Sequence, residues 1–187
     1  MTGQVIALSG PPGAGKTTIG RWLTGQLNAT RVNYDDHEQM TRRSETDVAD
    51  WLSRGAPIDE IPAPGLVEAV DLARQTNTVV YETPLGKAWA PTRDMISLSI
   101  WIETPLDLAL SRKMQIMAQA WQDKGGPAEP CAQWFKGHFR AYEEIIRPSL
   151  LVQIERVRSK SDVIVHNNKA INETQAQILA VLASLQK

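Results

Sequence analysis

Residues 10–17 read Gly10-Pro11-Pro12-Gly13-Ala14-Gly15-Lys16-Thr17 and fit the pattern G-x-x-x-x-G-K-[ST] of a phosphate-binding loop. An apolar run at residues 5–8 precedes the loop and predicts a buried strand. After the loop, apolar side chains recur at helical spacing, at Ile19, Trp22, Leu23 and Leu27. Because strand, loop and helix occur in the order that this pattern requires, the stretch predicts a site for nucleotide phosphates.

Each part of the loop has a physical reason to hold phosphate. Gly10, Gly13 and Gly15 lack a Cβ, so the backbone can curl until its N–H groups point at anionic oxygens. The following helix adds the partial positive charge of its N-terminus. Lys16 is predicted to lie along the β- and γ-phosphates, and the Thr17 hydroxyl to ligate Mg²⁺. The residues predicted to bind the nucleotide here are Gly10, Pro11, Pro12, Gly13, Ala14, Gly15, Lys16, Thr17 and Thr18.

Length, charge and cysteine content restrict the class of protein. At 187 residues the chain suits one domain, residues 1–187, with a sizeable core. A net charge of −1 implies no general attraction to nucleic acid or to an anionic membrane. The single cysteine, Cys131, excludes an internal disulfide and a cysteine-based zinc cluster. No apolar stretch is long enough to cross a bilayer and the first apolar run is expected to be a strand, not a signal peptide, so we expect a cytoplasmic protein.

Strand patterns alternate with helical patterns along the chain, which favours a parallel sheet covered on both faces. The predicted strands are residues 5–8, 30–34, 78–82, 98–103 and 163–166. A closing helix is predicted at residues 171–185. The expected fold class is α/β, a doubly wound five-stranded parallel sheet of the P-loop NTPase type. In such sheets ligands bind beyond the carboxyl ends of the strands.

Two segments interrupt this alternation. Residues 37–64 are polar and contain several prolines, which predicts an excursion with short helices on the substrate side of the site. Residues 122–130 are rich in glycine and proline and predict a flexible loop. We place this loop in a lid region of about residues 112–140.

Asp35 and Asp36 close the second predicted strand, which we expect next to the strand that leads into the loop. A carboxylate there can take the proton from an attacking hydroxyl as the γ-phosphoryl group moves across. Side chains alternate along a strand, so one of the two is expected to face the cleft, and the sequence leaves open which one. The alternative is a polar turn with two solvated acids.

Glu82 follows the apolar residues 79–81, the pattern of a second phosphate and Mg²⁺ motif. It is expected to hold a metal-bound water or a hydroxyl group of the substrate. Glu103 follows a similar apolar run, but residues 104–107 already explain it as part of a helix start. Glu82 is therefore the favoured of the two.

Arg112 and Lys113 lie on a predicted helix that leads into the lid loop. A mobile arginine suits phosphoryl transfer, because charge must be neutralised while water is excluded. Arg112 is the residue to which we assign this role, and the alternative is a solvated basic helix face.

Four tryptophans, Trp51, Trp89, Trp121 and Trp134, suggest stacking against a base. Large aromatic side chains more often serve in simple packing. The sequence does not separate the two interpretations.

Four segments resemble the uridine kinase-like branch of the P-loop kinases, which includes phosphoribulokinase and bacterial pantothenate kinase. They are residues 8–18, 32–36, 107–112 and 142–168. The resemblance implies a nucleoside or nucleotide kinase-like domain that uses ATP and Mg²⁺. It also implies that Asp35 is the base and that Arg112 reaches the phosphates. The loop after the last strand would lie against the adenine ring, and its residues are His166, Asn167 and Asn168.

The chain departs from that family's pattern at three places. Thr83 and Pro84 follow Glu82 where the family has glycine, and the lid's arginine patterns are missing from residues 113–130. His37 and Glu38 replace the aromatic residues expected after the aspartate. We therefore expect a substrate pocket different from that of uridine kinases.

The leading hypothesis is an ATP-dependent kinase that phosphorylates a hydroxyl group of a nucleoside or a similar metabolite. Lys16, Asp35 and Arg112 are the predicted catalytic residues. Asp35, Asp36 and Glu82 are expected to contact the acceptor, and Thr17 and Glu82 to hold Mg²⁺. The expected partner is a small-molecule phosphate acceptor, not nucleic acid or a membrane, and a homodimer is plausible.

Two other readings stay open. A nucleoside-monophosphate kinase needs arginines at the acceptor site, and Arg42, Arg43 and Arg54 in the excursion would serve. A non-catalytic nucleotide switch is the third hypothesis. A GTPase is disfavoured, because residues 168–171 read Asn-Lys-Ala-Ile and end in isoleucine where the guanine motif needs aspartate.

Overall fold

The computed structural model describes residues 2–185 and has one five-stranded sheet, in which every pair of neighbouring strands is parallel. Its strands are β1 (Val5–Ser9), β2 (Thr30–Asn33), β3 (Val79–Glu82), β4 (Leu98–Glu103) and β5 (Val163–His166), in the spatial order β2-β3-β1-β4-β5. This confirms the predicted doubly wound fold.

The described residues form eight α-helices. They are α1 (Lys16–Leu27), α2 (Glu45–Ser53), α3 (Leu66–Thr76), α4 (Ala90–Arg93), α5 (Leu106–Asp123), α6 (Ala128–Ala141), α7 (Arg147–Arg158) and α8 (Ile171–Leu185). One face packs against α1 and α8 through Ile19, Leu23 and Ile178. The other face packs against α2, α3 and α7, with Trp51 and Val157 in its core. Two apolar layers therefore hold the carboxyl ends of the strands in one plane.

The strand order corrects one expectation. β3 lies between β1 and β2, since Val79 is opposite both Val5 and Thr30, so β2 is not adjacent to the strand that leads into the phosphate loop. Val79, Val80 and Tyr81 are fully buried, and a strand buried along its length suits the interior of a parallel sheet. Three of the four residues of β2 keep contact with solvent, which suits an edge.

The predicted lid loop is shorter than expected. Helix α5 runs to Asp123 and α6 begins at Ala128, so the break is four residues long. The indole N–H of Trp121 donates to the carbonyl oxygen of Pro127 at 3.1 Å and closes this turn. Pro130 lies in the first turn of α6, where a missing backbone N–H breaks no helical hydrogen bond.

A π-helical turn, Tyr142–Ile146, joins α6 to α7. The excursion, residues 37–64, contains α2 and two short 3₁₀ turns, and the buried Trp51 anchors it to the core. Within residues 2–185, every helix is too short or too polar to span a bilayer.

Candidate active site

The phosphate loop, residues 10–17, connects β1 to α1 and makes two close contacts that only glycine permits. Gly13 and Gly15 have φ angles of +85° and +93°, which side chains rarely adopt. A Cβ at Gly13 would overlap the carbonyl oxygen of Ala109 in α5, and one at Gly15 would lie 2.6 Å from Nδ2 of Asn167. The loop is therefore held between α5 and the turn after β5.

Asn167 fastens the phosphate loop to the opposite end of the chain. Its Nδ2 donates to the carbonyl oxygen of Ala14 at 2.7 Å, and its Oδ1 accepts from the Thr174 hydroxyl at 3.2 Å. Its backbone N–H donates to the carbonyl oxygen of Glu103 at 2.9 Å. With 3% of its surface exposed, Asn167 is a buried clamp on the loop. The prediction that it also lies against adenine stays a prediction.

Lys16 folds back over the phosphate loop. Its Nζ donates to the carbonyl oxygens of Gly10 at 2.8 Å and Pro11 at 3.1 Å. Burial lowers the pKa of Lys16 to about 8, although the carboxylates of Asp35 and Glu82 oppose that shift. The ammonium group is thus held in the loop, near two predicted site carboxylates.

Asp35 and Asp36 lie on a 3₁₀ turn, Tyr34–Asp36, just past the end of β2. The alternation of a strand therefore does not decide which of them faces the cleft, and both are exposed. Asn33 shapes the turn, since its Oδ1 accepts from the backbone N–H of Asp35 at 3.3 Å. Asp35, and not Asp36, is among the groups that act on the pKa of Lys16. The assignment of Asp35 as the base stays a prediction.

Glu82 is nearly fully buried, with 1% of its surface exposed, and forms an ion pair with Arg31 of β2. Nε of Arg31 donates to Oε1 of Glu82, and this hydrogen bond raises the pKa of Arg31. A Cβ at Gly20 would overlap the same oxygen, so Glu82 packs against α1 one turn after Thr17. Oε2 of Glu82 is buried and has no hydrogen-bond partner among residues 2–185.

Thr17 and Glu82 fit a magnesium ion that arrives with a nucleotide. Among residues 2–185, no group of three or more His, Cys, Asp or Glu side chains is arranged to hold a metal. Mg²⁺ bound with phosphates keeps several waters and needs only one or two protein ligands. The exposed Thr17 at the start of α1 and the unpartnered Oε2 of Glu82 offer oxygens of the required kind.

The two basic residues of α5 have different surroundings. Nη1 of Arg112 donates to the carbonyl oxygen of Asn167 at 2.9 Å, which ties it to the turn after β5. Lys113 lowers the pKa of both Lys16 and His138, so its ammonium lies within electrostatic reach of both. Lys113 is therefore a cation of α5 within electrostatic reach of the loop, whereas the sequence favoured only Arg112.

The turn after β5 borders a shallow cavity of about 290 Å³. His166 and Asn168 are exposed on its wall, together with Lys169 at the start of the α8 connection. The backbone N–H of His166 donates to Oε1 of Gln177 at 2.9 Å, which fixes the turn to α8. The predicted contact of these residues with adenine stays a prediction.

A second cavity, of about 350 Å³, opens between the start of α2 and the lid helices. Residues on its wall include Glu45, Trp134, His138, Arg140, Glu144 and Ile145. Trp134 stacks on His138, with ring centroids 5.0 Å apart and planes 16° apart. Of the four tryptophans considered above, Trp51 and Trp89 are core residues, whereas Trp134 lines a cavity.

Of the three arginines of the excursion, Arg54 is engaged with acids of the same segment. Nη1 and Nη2 of Arg54 donate to the two carboxylate oxygens of Glu60, each at 2.8 Å, and Nε donates to Asp50 at 3.0 Å. Arg43 donates to the carbonyl oxygen of Glu60 at 3.4 Å, and Arg42 is exposed. None of the three is on the wall of the 350 Å³ cavity.

Sequence reasoning missed three features of this site. Arg31 lies inside a strand pattern and gave no signal of its pairing with Glu82. The local pattern does not favour Lys113 over Arg112. The cavity beside Trp134 joins residues about ninety positions apart, Glu45 and His138, and no local pattern announces it.

No family model matches the chain. It is 27% identical to a uridine kinase of Pasteurella multocida over 161 residues, which cover 81% of this chain and 69% of that protein. It is 26% identical to a shikimate kinase of Acinetobacter baylyi over 185 residues, covering 96% and 92% of the two chains.

Solved structures of two kinases share the fold. A gluconokinase from Sinorhizobium meliloti matches with a TM-score of 0.57 and 15% identity over 98% of this chain and 93% of that chain. A shikimate kinase from Acinetobacter baumannii, in complex with shikimate, matches with a TM-score of 0.53 and 19% identity over 100% and 96%.

Proposed function

Because this chain is a P-loop kinase, a phosphotransferase of α/β fold, we propose that it transfers the γ-phosphoryl group of Mg-ATP to a hydroxyl group of a nucleoside or a similar metabolite. The observation that carries the proposal is an exposed carboxylate, that of Asp35, within electrostatic reach of the loop lysine, Lys16. A hydroxyl acceptor needs such a base, whereas a phosphate acceptor does not.

The phosphate loop holds the triphosphate. Its backbone N–H groups and the N-terminus of α1 favour negative charge, and Lys16 exchanges its bonds to the Gly10 and Pro11 carbonyls for phosphate oxygens. Thr17 and Glu82 would hold Mg²⁺, which neutralises charge on the phosphates. Arg31 keeps the Glu82 side chain fixed for this task.

Asp35 receives the proton of the acceptor hydroxyl as its oxygen approaches the γ-phosphorus. The carboxylate is solvated and points from a turn rather than a strand, so it can follow the acceptor. Asp36 contributes negative charge at the same turn and stays a candidate for binding the acceptor. Arg112 and Lys113 neutralise charge on the transferring group as the lid closes.

The alternative of a monophosphate acceptor is less well supported. Arg54 is bonded to Glu60 and Asp50, and Arg43 to a backbone carbonyl, so these side chains are occupied within the excursion. A phosphorylated acceptor needs free arginines facing the γ-phosphate. Homodimer formation and a cytoplasmic location remain predictions from the sequence.

The test compares Asp35→Asn with Asp36→Asn in an assay of ADP release with uridine, shikimate and D-gluconate as acceptors. We expect Asp35→Asn to lower kcat by about 10²–10⁴-fold, because a general base is lost, while the Kd for ATP changes less than about twofold. Asp36→Asn, which alters the candidate acceptor-binding acid on the same turn, should change the KM for the acceptor more than kcat. Undiminished turnover in Asp35→Asn would reject Asp35 as the base.

A further inference from the structure

His37 joins the two ends of the excursion, residues 37–64, to each other. Its ring nitrogen Nδ1 lies 3.0 Å from the carbonyl oxygen of Pro64, 27 positions further along the chain. Because a carbonyl oxygen only accepts hydrogen bonds, Nδ1 carries the hydrogen and is the donor. The neutral ring with its hydrogen on Nδ1 and the charged imidazolium both have this N–H, so a change in the charge of the ring leaves the bond in place.

The carbonyl group of Pro64 belongs to a firmly anchored part of the structure. The backbone N–H of Leu66 donates to the carbonyl oxygen of Ala63 at 3.2 Å, which closes a turn around Pro64. Ala63 is buried, and Leu66, the first residue of α3, is fully buried. Gly65 has a φ angle of +76°, and Nδ1 of His37 lies 3.6 Å from the point that a Cβ of Gly65 would occupy. The ring of His37 is therefore tied to the start of α3.

The backbone of His37 ends the 3₁₀ turn that carries Asp35 and Asp36. Its N–H donates to the carbonyl oxygen of Tyr34 at 2.9 Å, and Tyr34 is buried. At the start of the turn, the bond from the N–H of Asp35 to Oδ1 of Asn33 is 3.3 Å long, which is weak for an N–H donor. Asp35 and Asp36 are exposed, so packing does not hold them. The turn is therefore fixed to the core through Tyr34 and through the ring of His37.

The middle of the excursion is held to the core independently of His37. Nη1 of Arg156 in α7 donates to the carbonyl oxygen of Ala56 at 2.7 Å. The backbone N–H of Ala90 donates to Oδ1 of Asp59 at 2.8 Å. Loss of the His37 ring should therefore free the turn without unfolding the excursion.

We propose that His37 is a positioning residue, which fixes the turn that carries Asp35 and so aims this carboxylate at the acceptor hydroxyl. The backbone of the turn is held while the Asp35 side chain stays free to rotate. Such a device matters because an error of about 1 Å in the position of a reacting group can lower a rate about 10²-fold. The inference rests on the proposed function, in which Asp35 is the base, and it gives a role to a residue at which the sequence departs from the uridine kinase pattern.

The experiment compares three substitutions of His37 by ADP release with uridine, shikimate and D-gluconate. His37→Ala removes the donor, His37→Asn places an amide N–H close to the position of Nδ1, and His37→Gln places one close to the position of Nε2. We expect His37→Ala and His37→Gln to lower kcat about tenfold, with the Kd for ATP changed less than about twofold. His37→Asn should restore most of kcat.

Glu38→Ala is the matched control. The Glu38 carboxylate accepts from the backbone N–H and the hydroxyl of Thr41, each at 2.7 Å, so its bonds stay inside the excursion. Its removal leaves the bond from His37 to Pro64 intact and should change kcat less than about twofold.

Two further measurements separate positioning from a general loss of stability. In the Asp35→Asn background, His37→Ala should lower kcat less than about twofold further, because His37 acts through Asp35. Hydrogen exchange of the backbone amides of residues 34–38, measured without any acceptor, should be faster in His37→Ala and unchanged in His37→Asn.

Undiminished kcat or unchanged exchange in His37→Ala would overturn the inference. Equal losses in His37→Asn and His37→Gln would do the same, and so would a full further loss in the Asp35→Asn background. An absence of ADP release from the unmodified protein with all three acceptors would count against the proposed function. The exchange measurement would then decide by itself whether His37 fixes the turn.

Discussion

At the scale of single residues, Lys16 shows how burial tunes a phosphate-binding group. Its folded-state pKa is about 8, below the 10.5 of an unperturbed lysine. Between these two pH values the unfolded chain holds more protons than the folded one, so this group makes the folded state more stable as the pH rises. Bound phosphates favour the charged ammonium, so ATP binding restores the proton.

The resulting prediction concerns the pH dependence of ATP affinity. We expect Lys16 to take up a proton when ATP binds at about pH 8–9. The affinity for ATP should therefore fall as the pH rises above about 8, by up to about tenfold per pH unit. Isothermal titration in buffers of different ionisation enthalpy measures the proton uptake. Lys16→Ala should remove it, and equal ATP affinities at about pH 7 and about pH 9.5 would contradict the prediction.

At the scale of elements, the ion pair of Arg31 and Glu82 joins β2, β3 and α1. The Glu82 side chain occupies the space against α1 where a side chain at position 20 would lie. Glu82 is therefore held in place even when Arg31 is removed, and its carboxylate then loses its ion-pair partner. A carboxylate left alone in this position is costly, because it stays desolvated. Arg31 is about a quarter exposed, with 28% of its side-chain surface accessible, which reduces this cost.

We therefore predict that Arg31→Gln lowers the free energy of unfolding by about 2–3 kcal/mol, below the about 3–5 kcal/mol of a fully buried pair. The double variant Arg31→Gln with Glu82→Gln should recover part of that loss, since the unpaired charge is gone. Urea denaturation measures both. Arg74→Gln, which breaks a partly exposed pair with Asp71, should cost about 0–1 kcal/mol, because neither of its partners is fully buried. Additive losses in the double variant would refute the coupling.

At the scale of the whole molecule, Asn167 connects parts of the chain 153 residues apart through its bond to Ala14. The phosphate loop comes first in sequence and β5 nearly last, yet the sheet order brings them together around β4. The loop's shape thus depends on the closing turn and α8. Loosening this contact should weaken the binding of the nucleotide more than it lowers the stability of the core.

Asn167→Ala leaves the Ala14 carbonyl oxygen without its buried donor. Leaving such a group without a partner destabilises the folded state by about 1–3 kcal/mol. We expect the Kd for ATP to rise about tenfold while the protein remains folded, as measured by isothermal titration and circular dichroism. Asn172→Ala, at an exposed position in the first turn of α8, is the matched control. An unchanged Kd in Asn167→Ala would show that the clamp does not shape the loop.

Local sequence patterns determined the elements and the phosphate loop. The strand bounds at Leu98–Glu103 and Val163–His166 and the closing helix Ile171–Leu185 follow from apolar periodicity, since each element buries one face or a whole run of side chains. The loop was recognisable because its glycines, lysine and threonine are neighbours in sequence, where spacing is fixed by the backbone.

Only the tertiary structure decided which distant groups meet. The position of β2 at the sheet edge, the pairing of Arg31 with Glu82 and the Asn167 clamp all depend on the strand order, which local patterns do not encode. The same holds for the cavity between α2 and the lid. Periodicity reports which face of an element is buried, but contacts between elements arise from packing side chains that lie far apart along the chain.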